Sequence, residues 1–483
     1  MKRRDFFKLT AAGAAAGSLW AGLSYTSAAE LCEDIQEVSS KVKNRKQVFN
    51  MAGYAAPAYG NGLRIGYIGL GNRGLASLRR MARIEGVEIR AIADCYEYPI
   101  QCARDILKEN GCAPAAEYFA SKETWKDLCA RDDLDFIYVA TPPFCHAEMA
   151  LHAMESGKHV ATEVPVANNL TDCWKLVETS ERTRKYCIML ENCLYDFFET
   201  FASNMALQGV FGEIVHGEGS YLHYGFHDII KVPEPPKSLE AAPYYRAVKE
   251  LGHGNCYPTH GFGPVCKAMR IGAGDRVDYL SSIESNDFRL RQTMNQLAEE
   301  TGNPYYDQFK NREYCGNVSS TILRTVKGKS LIVQYGTRNP RPYSRGYLLS
   351  GEFGFAQKYP QECICMNDSA TPVEPEQLEE LKAKYTPELI QHIGEVAKKF
   401  GGHGGMDFTM DWRLVDCLRS GIPFDLDVYD AVAWSCLTPL TLWSVLNRSN
   451  SIDVPDFTGG NWETNAPLDL SLRGGGKTGV RTL

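Results

Sequence analysis

The sequence predicts an α/β protein with an N-terminal Rossmann dinucleotide-binding domain. A C-terminal α+β domain with a large, mainly antiparallel sheet is expected to follow it. Three observations carry this prediction. A glycine-rich loop follows a short apolar strand near residue 63, strands and helices then alternate to about residue 190, and strand-like segments recur after about residue 210. Alternating strands and helices are typical of a parallel sheet with right-handed crossovers.

The first strand–helix unit predicts a dinucleotide site. Strand Leu63–Ile68 leads into Gly69-Leu70-Gly71-Asn72-Arg73-Gly74, a G-x-G-x-x-G loop, and the next strand ends at Asp94. The glycines permit the tight turn, the approach of backbone to a pyrophosphate and the packing of helix on strand, and the helix N-terminus faces the phosphates. Asp94 can accept hydrogen bonds from a ribose diol and would repel a 2′-phosphate, which favours NAD over NADP. The alternative is a strand–helix turn that binds no ligand.

Two further strand ends extend this site. Strand Leu134–Ala140 runs into Thr141-Pro142-Pro143, and strand Lys158–Pro165 carries Glu163-Val164-Pro165 at its end. Ligands of parallel sheets bind beyond the carboxyl ends of the strands. The predicted cofactor-binding residues are Gly69, Gly71, Asn72, Arg73, Gly74, Asp94, Thr141, Pro142, His146, Glu163, Pro165 and Asn192.

The segment Gly254–Pro264 is the strongest indication of a substrate site. It places Tyr257 and His260 three residues apart in a glycine- and proline-rich stretch, about 190 residues after the glycine loop. Such a pair can hold a polyol and move its protons. The alternative is a structural histidine beside a half-buried packing tyrosine.

These strand ends resemble those of the glucose–fructose oxidoreductase, inositol dehydrogenase and rhizopine-catabolism (Gfo/Idh/MocA) superfamily over residues about 62–450. That group usually has Glu-Lys-Pro at the third strand end, where the lysine handles the proton of the oxidised hydroxyl. Here the triplet is Glu163-Val164-Pro165. Valine cannot ionise, so the departure argues against ordinary polyol dehydrogenation.

A closer resemblance within that superfamily is to glycoside hydrolase family 109, the NAD-dependent α-N-acetylgalactosaminidases. It rests on the Tyr257/His260 segment and on residues 191–195, 211–217, 341–343, 402–407 and 424–430. The resemblance implies hydrolysis without the usual pair of carboxylates. NAD would oxidise the sugar at C3, the C2 proton and the anomeric substituent would be eliminated, water would add, and NADH would reduce C3 again.

The resemblance also assigns residues to this chemistry. It makes His260 the proton carrier for the C3 hydroxyl and Tyr195 the candidate for the C2 step. A positive neighbour would have to lower the tyrosine pKa for that role. The implied substrate-binding residues are Glu163, Tyr195, Arg246, Tyr257, His260 and Tyr343.

The predicted function is therefore hydrolysis of α-N-acetylgalactosaminides or a related hexosaminide, with a small carbohydrate or glycan as the partner. The alternatives are a sugar or polyol oxidoreductase with net redox turnover and a non-catalytic sugar-binding protein. The exact sugar, anomer and linkage stay open at this point. The resemblance also implies a homodimer.

No metal site and no nucleic-acid binding are predicted. A net charge of −7 and a pI near 5.9 argue against a nucleic-acid partner. Asp425, Asp427 and Asp430 precede an apolar run, so they are interpreted as a solvated helix start rather than as metal ligands. His403, in a glycine-rich segment, is either a loop constraint or a site residue.

The cysteines raise a question of redox state. The chain has sixteen, scattered and without a C-x-x-C pair. Several stand in apolar contexts, so most are expected to be buried thiols. These are Cys95, Cys129, Cys187, Cys417 and Cys436.

The first residues predict export. Arg3-Arg4-Asp5-Phe6-Phe7-Lys8-Leu9 is a twin-arginine pattern, followed by an apolar run over Thr10–Leu23 and small residues up to Ala29. The run is too short for a good membrane span. We therefore expect a periplasmic or secreted protein that has no membrane segment in its mature form. A basic amphipathic N-terminus is the alternative.

The predicted organisation of the chain has five parts. They are a signal peptide (1–29), a linker or arm (30–61), a Rossmann domain (62–190), a substrate-binding α+β domain (191–455) and a C-terminal tail (456–483). Within the second domain, residues 213–224, 318–326, 330–336 and 347–351 are predicted strands. Residues 288–302 and 374–399 are predicted helical insertions.

Overall fold

The computed structural model describes residues 27–234 and 242–481. The predicted twin-arginine pattern lies outside these residues. The strands are β1 Leu63–Ile68, β2 Val87–Ala93, β3 Ala116–Tyr118, β4 Phe136–Val139, β5 His159–Thr162, β6 Cys187–Met189, β7 Ile214–Leu222, β8 Val277–Glu284, β9 Ser319–Thr325, β10 Ser330–Gly336, β11 Leu348–Gly351, β12 Phe355–Gln357, β13 Cys363–Cys365 and β14 Ile452–Asp453.

The α-helices connect and cover these strands. They are α1 Ala28–Lys43, α2 Asn72–Met81, α3 Glu97–Glu109, α4 Trp125–Cys129, α5 His146–Glu155, α6 Leu170–Thr183, α7 Phe197–Leu207, α8 Phe226–Ile229, α9 Ala242–Lys249, α10 Thr259–Ala268, α11 Leu290–Thr301, α12 Pro304–Asp307, α13 Pro375–Tyr385, α14 Glu388–Phe400, α15 Met406–Ser420, α16 Val428–Ser435 and α17 Leu437–Leu446. None of the helices in the described part of the chain is both long and apolar enough to cross a bilayer.

The first sheet is a six-stranded parallel sheet in the order β3-β2-β1-β4-β5-β6. Its central strands are buried almost throughout, as expected where helices cover both faces. One of the covering helices, α15, comes from late in the chain and packs against α2 and β1. The predicted Rossmann architecture is confirmed, and β1 has the predicted bounds.

The second sheet has eight strands in the order β13-β12-β11-β7-β10-β9-β8-β14. Only the β7–β10 pair is parallel within it, and the other pairs are antiparallel. The predicted, mainly antiparallel sheet is therefore confirmed. Strand β10 has the predicted bounds, and the other three predicted strands are each shorter by one or more residues.

Helix α10 lies directly on the second sheet. A Cβ atom at Gly219 on β7 would come within 1.9 Å of the carbonyl oxygen of Gly261, the third residue of α10. Only glycine permits so close an approach of helix and strand. His260 stands next to Gly261, so this contact fixes the height of His260 above the sheet.

The segment predicted as a linker contains a helix. Helix α1 starts at Ala28, before the expected boundary at residue 30, because the Ser27 side chain caps it by accepting from the Glu30 amide. The apolar face of α1 packs against the rest of the protein, and Leu31 and Val38 on this face are buried. The Asp34 carboxylate accepts the backbone amides of Leu170 and Thr171 at 2.9 Å, at the start of α6. This region is a docked arm rather than a free linker.

The last residues return to the first sheet. The Glu85 amide donates to the Gly479 carbonyl at 2.9 Å, and the Arg481 amide donates to the Arg83 carbonyl at 2.8 Å. The Trp412 indole, on α15, donates to the Thr478 carbonyl at 2.9 Å. The C-terminal segment therefore packs against the N-terminal half of the chain.

The cysteines are free thiols, and nine of the sixteen are buried. Burial raises the pKa of the Cys129, Cys187 and Cys417 thiols to about 12, which makes them poor nucleophiles. The expectation of mostly buried thiols is confirmed. Cys95 is the correction, because it is exposed on the loop after β2.

Candidate active site

A cleft of about 380 Å³ lies at the carboxyl ends of β1, β2, β4 and β5. Nine of the predicted cofactor residues line it, together with Pro143, Tyr96 and Tyr98. The nine are Gly69, Gly71, Asn72, Arg73, Asp94, Thr141, Pro142, His146 and Glu163. The other three predicted residues, Gly74, Pro165 and Asn192, do not line the cleft. Gly74 and Pro165 are next to lining residues in the chain, and Asn192 hydrogen-bonds to Asp407, which pairs with Arg73 of the lining.

The glycines of the loop have three different roles. Gly69 has a φ of +89°, and a Cβ there would meet the Ala140 backbone at 2.7 Å. A Cβ at Gly74 would come within 2.0 Å of the Gly69 carbonyl, so this residue holds α2 against the turn. No atom lies within 4 Å of a Cβ at Gly71. The open space at Gly71, at the N-terminus of α2, fits a pyrophosphate.

Asp94 lines the cleft at the carboxyl end of β2. Its Oδ2 accepts the Leu70 amide at 2.8 Å, and its Oδ1 accepts the Tyr96 amide at 3.1 Å. Burial raises the pKa of the Asp94 carboxyl, although these backbone donors oppose the rise. Each carboxylate oxygen retains a lone pair, so the side chain can still accept hydrogen bonds from a ribose diol.

His146 connects two of the strand ends. Its Nδ1 lies 2.7 Å from the Pro165 carbonyl and its Nε2 lies 2.8 Å from the Thr141 carbonyl. A neutral ring can donate to only one of these acceptors. Burial lowers the pKa of His146, which favours the neutral ring. His146 thus fixes the shape of the cleft wall.

Arg73 connects the glycine loop to α15. Its guanidinium contacts Glu163 at 3.0 Å and Asp407 at 2.9 Å. Asp407 also accepts from the Asn192 amide at 2.6 Å and lies 3.0 Å from the Nδ1 of His403. Burial alone would raise the pKa of Asp407, but His403 and the arginines outweigh it and hold this pKa well below its usual range.

This network shows how His403 and Asn192 are placed relative to the cleft. His403 and Asn192 both meet the Asp407 carboxylate, so they reach the cofactor loop through Arg73 rather than by lining the cleft. Glu163 does line the cleft, but its carboxylate is paired with Arg73.

An aromatic cluster borders the same cleft on the side of the second sheet. Tyr257 lines the cleft, and its ring lies 4.8 Å from that of His260 and 5.1 Å from that of Tyr221. Tyr343, exposed at its outer edge, lies 6.3 Å from Tyr221. The structure thus brings Tyr257, His260 and Tyr343 together, as the sequence predicted.

His260 has a buried carboxylate behind it. Its Nδ1 lies 2.6 Å from the Oε1 of Glu191, which is fully buried just after β6. Burial raises the pKa of the Glu191 carboxyl, but the charge and hydrogen bond of His260 outweigh that effect, and the net pKa lies below its usual value. Glu191 was not predicted from the sequence, because no spacing rule connects it to His260.

Tyr195, like His260, is not among the residues that line the cleft, and it lies deeper in the core. Its ring is fully buried, and its hydroxyl donates to the Asp425 carboxylate at 3.1 Å. Burial and that negative neighbour raise the Tyr195 pKa well above its usual value, although Arg413 opposes the rise. The 3-10 turn Asn192–Tyr195 directs the phenol toward the core, and the predicted roles of Tyr195 at C2 and in sugar binding stay predictions.

The three aspartates around the start of α16 also need a correction. Asp427 and Asp430 form a capping box at the start of the helix, as expected. They are not solvated, however, since Asp425 and Asp430 are buried. Asp425 pairs with Arg413 at 3.0 Å, which explains its burial.

Three residues of α9 differ from expectation. Arg246, on α9, does not line the cleft, and its guanidinium pairs with Asp228 at 3.3 Å. Its neighbour Tyr245 does line the cleft and was not predicted. Lys249, one turn further on, places its ammonium 4.7 Å from the centre of the Tyr257 ring, a cation–π contact that no sequence motif indicates.

The two parts of the chain each match a family model. Residues 63–191 match the oxidoreductase family with an NAD-binding Rossmann fold. Residues 199–464 match the C-terminal domain of glycosyl hydrolase 109. Solved structures share the fold at low identity. They include an NAD-binding oxidoreductase from Klebsiella pneumoniae (TM-score 0.59, 17% identity, covering 82% of this chain and 99% of that one) and levoglucosan dehydrogenase with NADH (TM-score 0.58, 16% identity, covering 82% and 100%).

Curated relatives are much more similar in sequence. An alpha-N-acetylgalactosaminidase of Bacteroides fragilis is 42% identical over 404 residues, covering 83% of this chain and 93% of that protein. A glycosyl hydrolase family 109 protein of Porphyromonas gingivalis is 42% identical over 422 residues, covering 83% and 86%.

The fold and the cleft define an NAD-binding protein of the Gfo/Idh/MocA class. Within that class, the chain belongs to glycoside hydrolase family 109 and is an NAD-dependent glycoside hydrolase.

Proposed function

We propose that the enzyme hydrolyses α-N-acetylgalactosaminides, or a related hexosaminide, by oxidation at C3, elimination, water addition and re-reduction. The observation that carries this proposal is the position of Tyr257, which lines the cofactor cleft and packs edge-on against His260. A sugar bound against Tyr257 would lie between the cofactor and a proton carrier. The name of the Bacteroides fragilis relative supports this substrate class.

The residues of the chain would divide the work as follows. Bound NAD would supply the hydride acceptor for C3 and the hydride for its later reduction, so the electrons would balance over one turnover. His260 would take the proton of the C3 hydroxyl and give it back. The C2 proton would pass to water and the departing alcohol would take a proton from water, and the added water would supply the new anomeric hydroxyl and the new hydrogen at C2. Tyr257 and Tyr343 hydrogen-bond sugar hydroxyls at the mouth of the cleft. Glu163 orients the glycine loop through Arg73 and is available to a sugar hydroxyl.

The NAD itself would bind along the glycine loop. The pyrophosphate would occupy the open space at Gly71, and the adenosine ribose would meet Asp94. Arg246 keeps its predicted role in sugar binding as part of this proposal. It would have to exchange its partly exposed pair with Asp228, and exposed pairs of this kind contribute little to stability.

The second candidate function is that of an oxidoreductase with net redox turnover, and Val164 argues against it. Val164 lines the cleft where the superfamily has its lysine, and it offers no proton carrier. The two functions separate in one assay with purified enzyme, a panel of nitrophenyl glycosides, and NAD added or omitted. We expect nitrophenol release from the N-acetylgalactosaminide with no net change in NADH absorbance. Stoichiometric NADH accumulation would support the dehydrogenase instead.

We also propose export through the twin-arginine route to the periplasm or the medium. The support is the pattern at Arg3 and Arg4, outside the described residues. Cell fractionation of the wild type and of an Arg3→Lys, Arg4→Lys double variant tests it. Retention of the variant in the cytoplasm is expected. Equal export of both proteins would refute this route.

A homodimer through the outer face of the second sheet is proposed as well. On that face, Ile283 of β8 and Ile322 of β9 have exposed fractions of 63% and 60%. Ile322 is the cross-strand partner of Ile332 on β10. Exposed apolar residues grouped in this way are typical of an interface. Light scattering should give twice the chain mass for the wild type and one chain mass for Ile322→Asp. A monomeric wild type would refute the proposal.

A further inference from the structure

We infer that Glu191 is a positioning residue that holds His260 in one tautomer, with the proton on Nδ1 and the lone pair of Nε2 available to the substrate. This inference rests on the proposed function for its catalytic meaning. The tautomer itself can be measured without any sugar.

The first support is the geometry of the pair. The Oε1 of Glu191 lies 2.6 Å from the Nδ1 of His260, and it also accepts the Cys193 amide at 3.1 Å. A carboxylate can only accept, so Nδ1 must carry the proton. In a neutral ring, Nε2 is then unprotonated and is the nitrogen that can take a proton from a hydroxyl.

The second support is the difference in burial between Glu191 and His260. Glu191 is fully buried, whereas the His260 side chain is 12% exposed, and its ring packs against Tyr257 of the cleft wall. Among the described residues, no group hydrogen-bonds to Nε2. The buried carboxylate therefore binds the ring at Nδ1 and leaves Nε2 without a described protein partner, as an orienting group does in other acid–histidine pairs.

The third support is that the pair joins two elements that belong to different sheets of the fold. Glu191 follows β6 of the parallel sheet, and its side chain caps the 3-10 turn Asn192–Tyr195. His260 lies in the first turn of α10, which is fixed on β7 through Gly261 and Gly219. Both partners stand on packed elements, so the ring has little freedom to turn over.

A metal ion is the competing interpretation of the same residues. Glu191, Cys193 and His260 each offer a ligand atom, all within 4.8 Å of one another. Two ligands of a tetrahedral zinc ion stand about 3.3 Å apart, given metal–ligand distances of about 2.0 Å. The 2.6 Å separation of Oε1 and Nδ1 is that of a hydrogen bond.

The direct test is nitrogen-15 NMR of the histidine rings in the NAD-loaded enzyme. Subtracting the spectrum of His260→Ala assigns the signals of this ring. We expect a protonated Nδ1 and an unprotonated Nε2 near neutral pH. A ring protonated on Nε2 alone, or on both nitrogens, would overturn the inference whatever the outcome with sugars.

The second test is the kinetics of Glu191→Gln, which removes the charge and keeps the shape. We expect kcat to fall at least about tenfold with KM within about threefold, since an orienting group acts on the reacting state. Glu181→Gln is the matched control, because Glu181 is also buried but bonds Arg45 and Tyr429 far along the chain from His260. Its kcat should be unchanged.

Two outcomes contradict the inference in these experiments. One is a folded Glu191→Gln variant with wild-type kcat. The other is a stoichiometric metal ion in the purified enzyme that is lost in Cys193→Ser. Should Glu191→Gln not fold, the NMR measurement on the wild type still decides.

Discussion

The cofactor half of the active site and its substrate half differ in how far apart their residues lie in the chain. We define the cofactor half as the glycine loop 69–74 with Asp94, residues 141–146 and Glu163, and the substrate half as Glu191, Tyr221, Tyr257, His260 and Tyr343. The cofactor half is a series of strand ends in one sheet. The substrate half joins residues of both sheets, and its central contact, from Glu191 to His260, spans 69 positions.

The two halves also differ in charge. Under the cofactor half, Asp407 is surrounded by Arg73, Arg80 and His403, which hold its pKa well below the usual range despite its burial. Under the substrate half, burial raises the pKa of Glu199 to about 7, and the negative charge of the neighbouring Asp196 adds to this rise while Arg345 opposes it. Changes in the cofactor half should therefore affect NAD retention, and changes in the substrate half should affect chemistry.

His260→Ala should give the largest effect and should separate the halves most clearly. We expect turnover to fall by about 10²–10⁴-fold, the usual contribution of a proton carrier. Bound NAD should stay at the wild-type level, because His260 does not line the cofactor cleft. Initial rates and the NAD released on denaturation measure both quantities. Loss of NAD in step with activity would show that the two halves cannot be separated.

Gly74→Ala and Gly71→Ala sharpen the comparison within the cofactor half. The Gly74 methyl group would meet the Gly69 carbonyl, so we expect destabilisation by about 1–3 kcal/mol. The Gly71 methyl group meets no protein atom and should leave unfolding unchanged while it weakens NAD binding, because it fills the space of the pyrophosphate. Thermal unfolding and NAD titration measure the pair. Equal losses of stability in both variants would refute this division.

Glu199→Gln tests the charge of the substrate half. The raised pKa means that the folded state binds a proton that the unfolded state releases between about pH 4 and pH 7. The wild-type carboxyl therefore contributes less stability as pH rises through this window. We expect the variant to gain on the order of 1–3 kcal/mol relative to the wild type between pH 5 and pH 8. Urea unfolding at the two pH values measures the difference, and a constant difference would contradict the prediction.

Tyr195→Phe should have the smallest effect. Its hydroxyl bonds Asp425, which keeps Arg413 and Arg473 as partners, so we expect a loss of about 0.5–1.5 kcal/mol in stability. Turnover should stay within about threefold of the wild type, in contrast to the loss in His260→Ala. Rates at saturating substrate measure this. A tenfold or larger loss in a stable variant would return Tyr195 to the chemistry.

The sequence predicted the cofactor half well because its signals are local. Strand β1, the three glycine positions and Asp94 depend on short-range spacing, and nine of the predicted cofactor residues line the cleft. The docked helix α1 was missed, because its partner at the start of α6 lies about 130 residues away.

The substrate half was predicted only in part, for a related reason. Tyr257, His260 and Tyr343 meet as expected. Tyr195 was assigned from neighbouring motif residues, but the direction of its side chain depends on a 3-10 turn and on Asp425, 230 positions later. Glu191 stands in the same motif and could have been found only from the packing of α10 against β7 and against the 3-10 turn Asn192–Tyr195.

The most direct test of the proposed mechanism is the position of deuterium in a product formed in D₂O. Elimination removes the C2 proton of the sugar, and addition of solvent replaces it. We therefore expect one deuterium at C2 of the released sugar, detected by mass spectrometry and NMR. Displacement at the anomeric carbon by a pair of carboxylates never touches C2. Two results together would contradict oxidation and elimination as the route of hydrolysis: an unlabelled substrate that gives product with only hydrogen at C2 in D₂O, and a C2-deuterated substrate that keeps its label in H₂O.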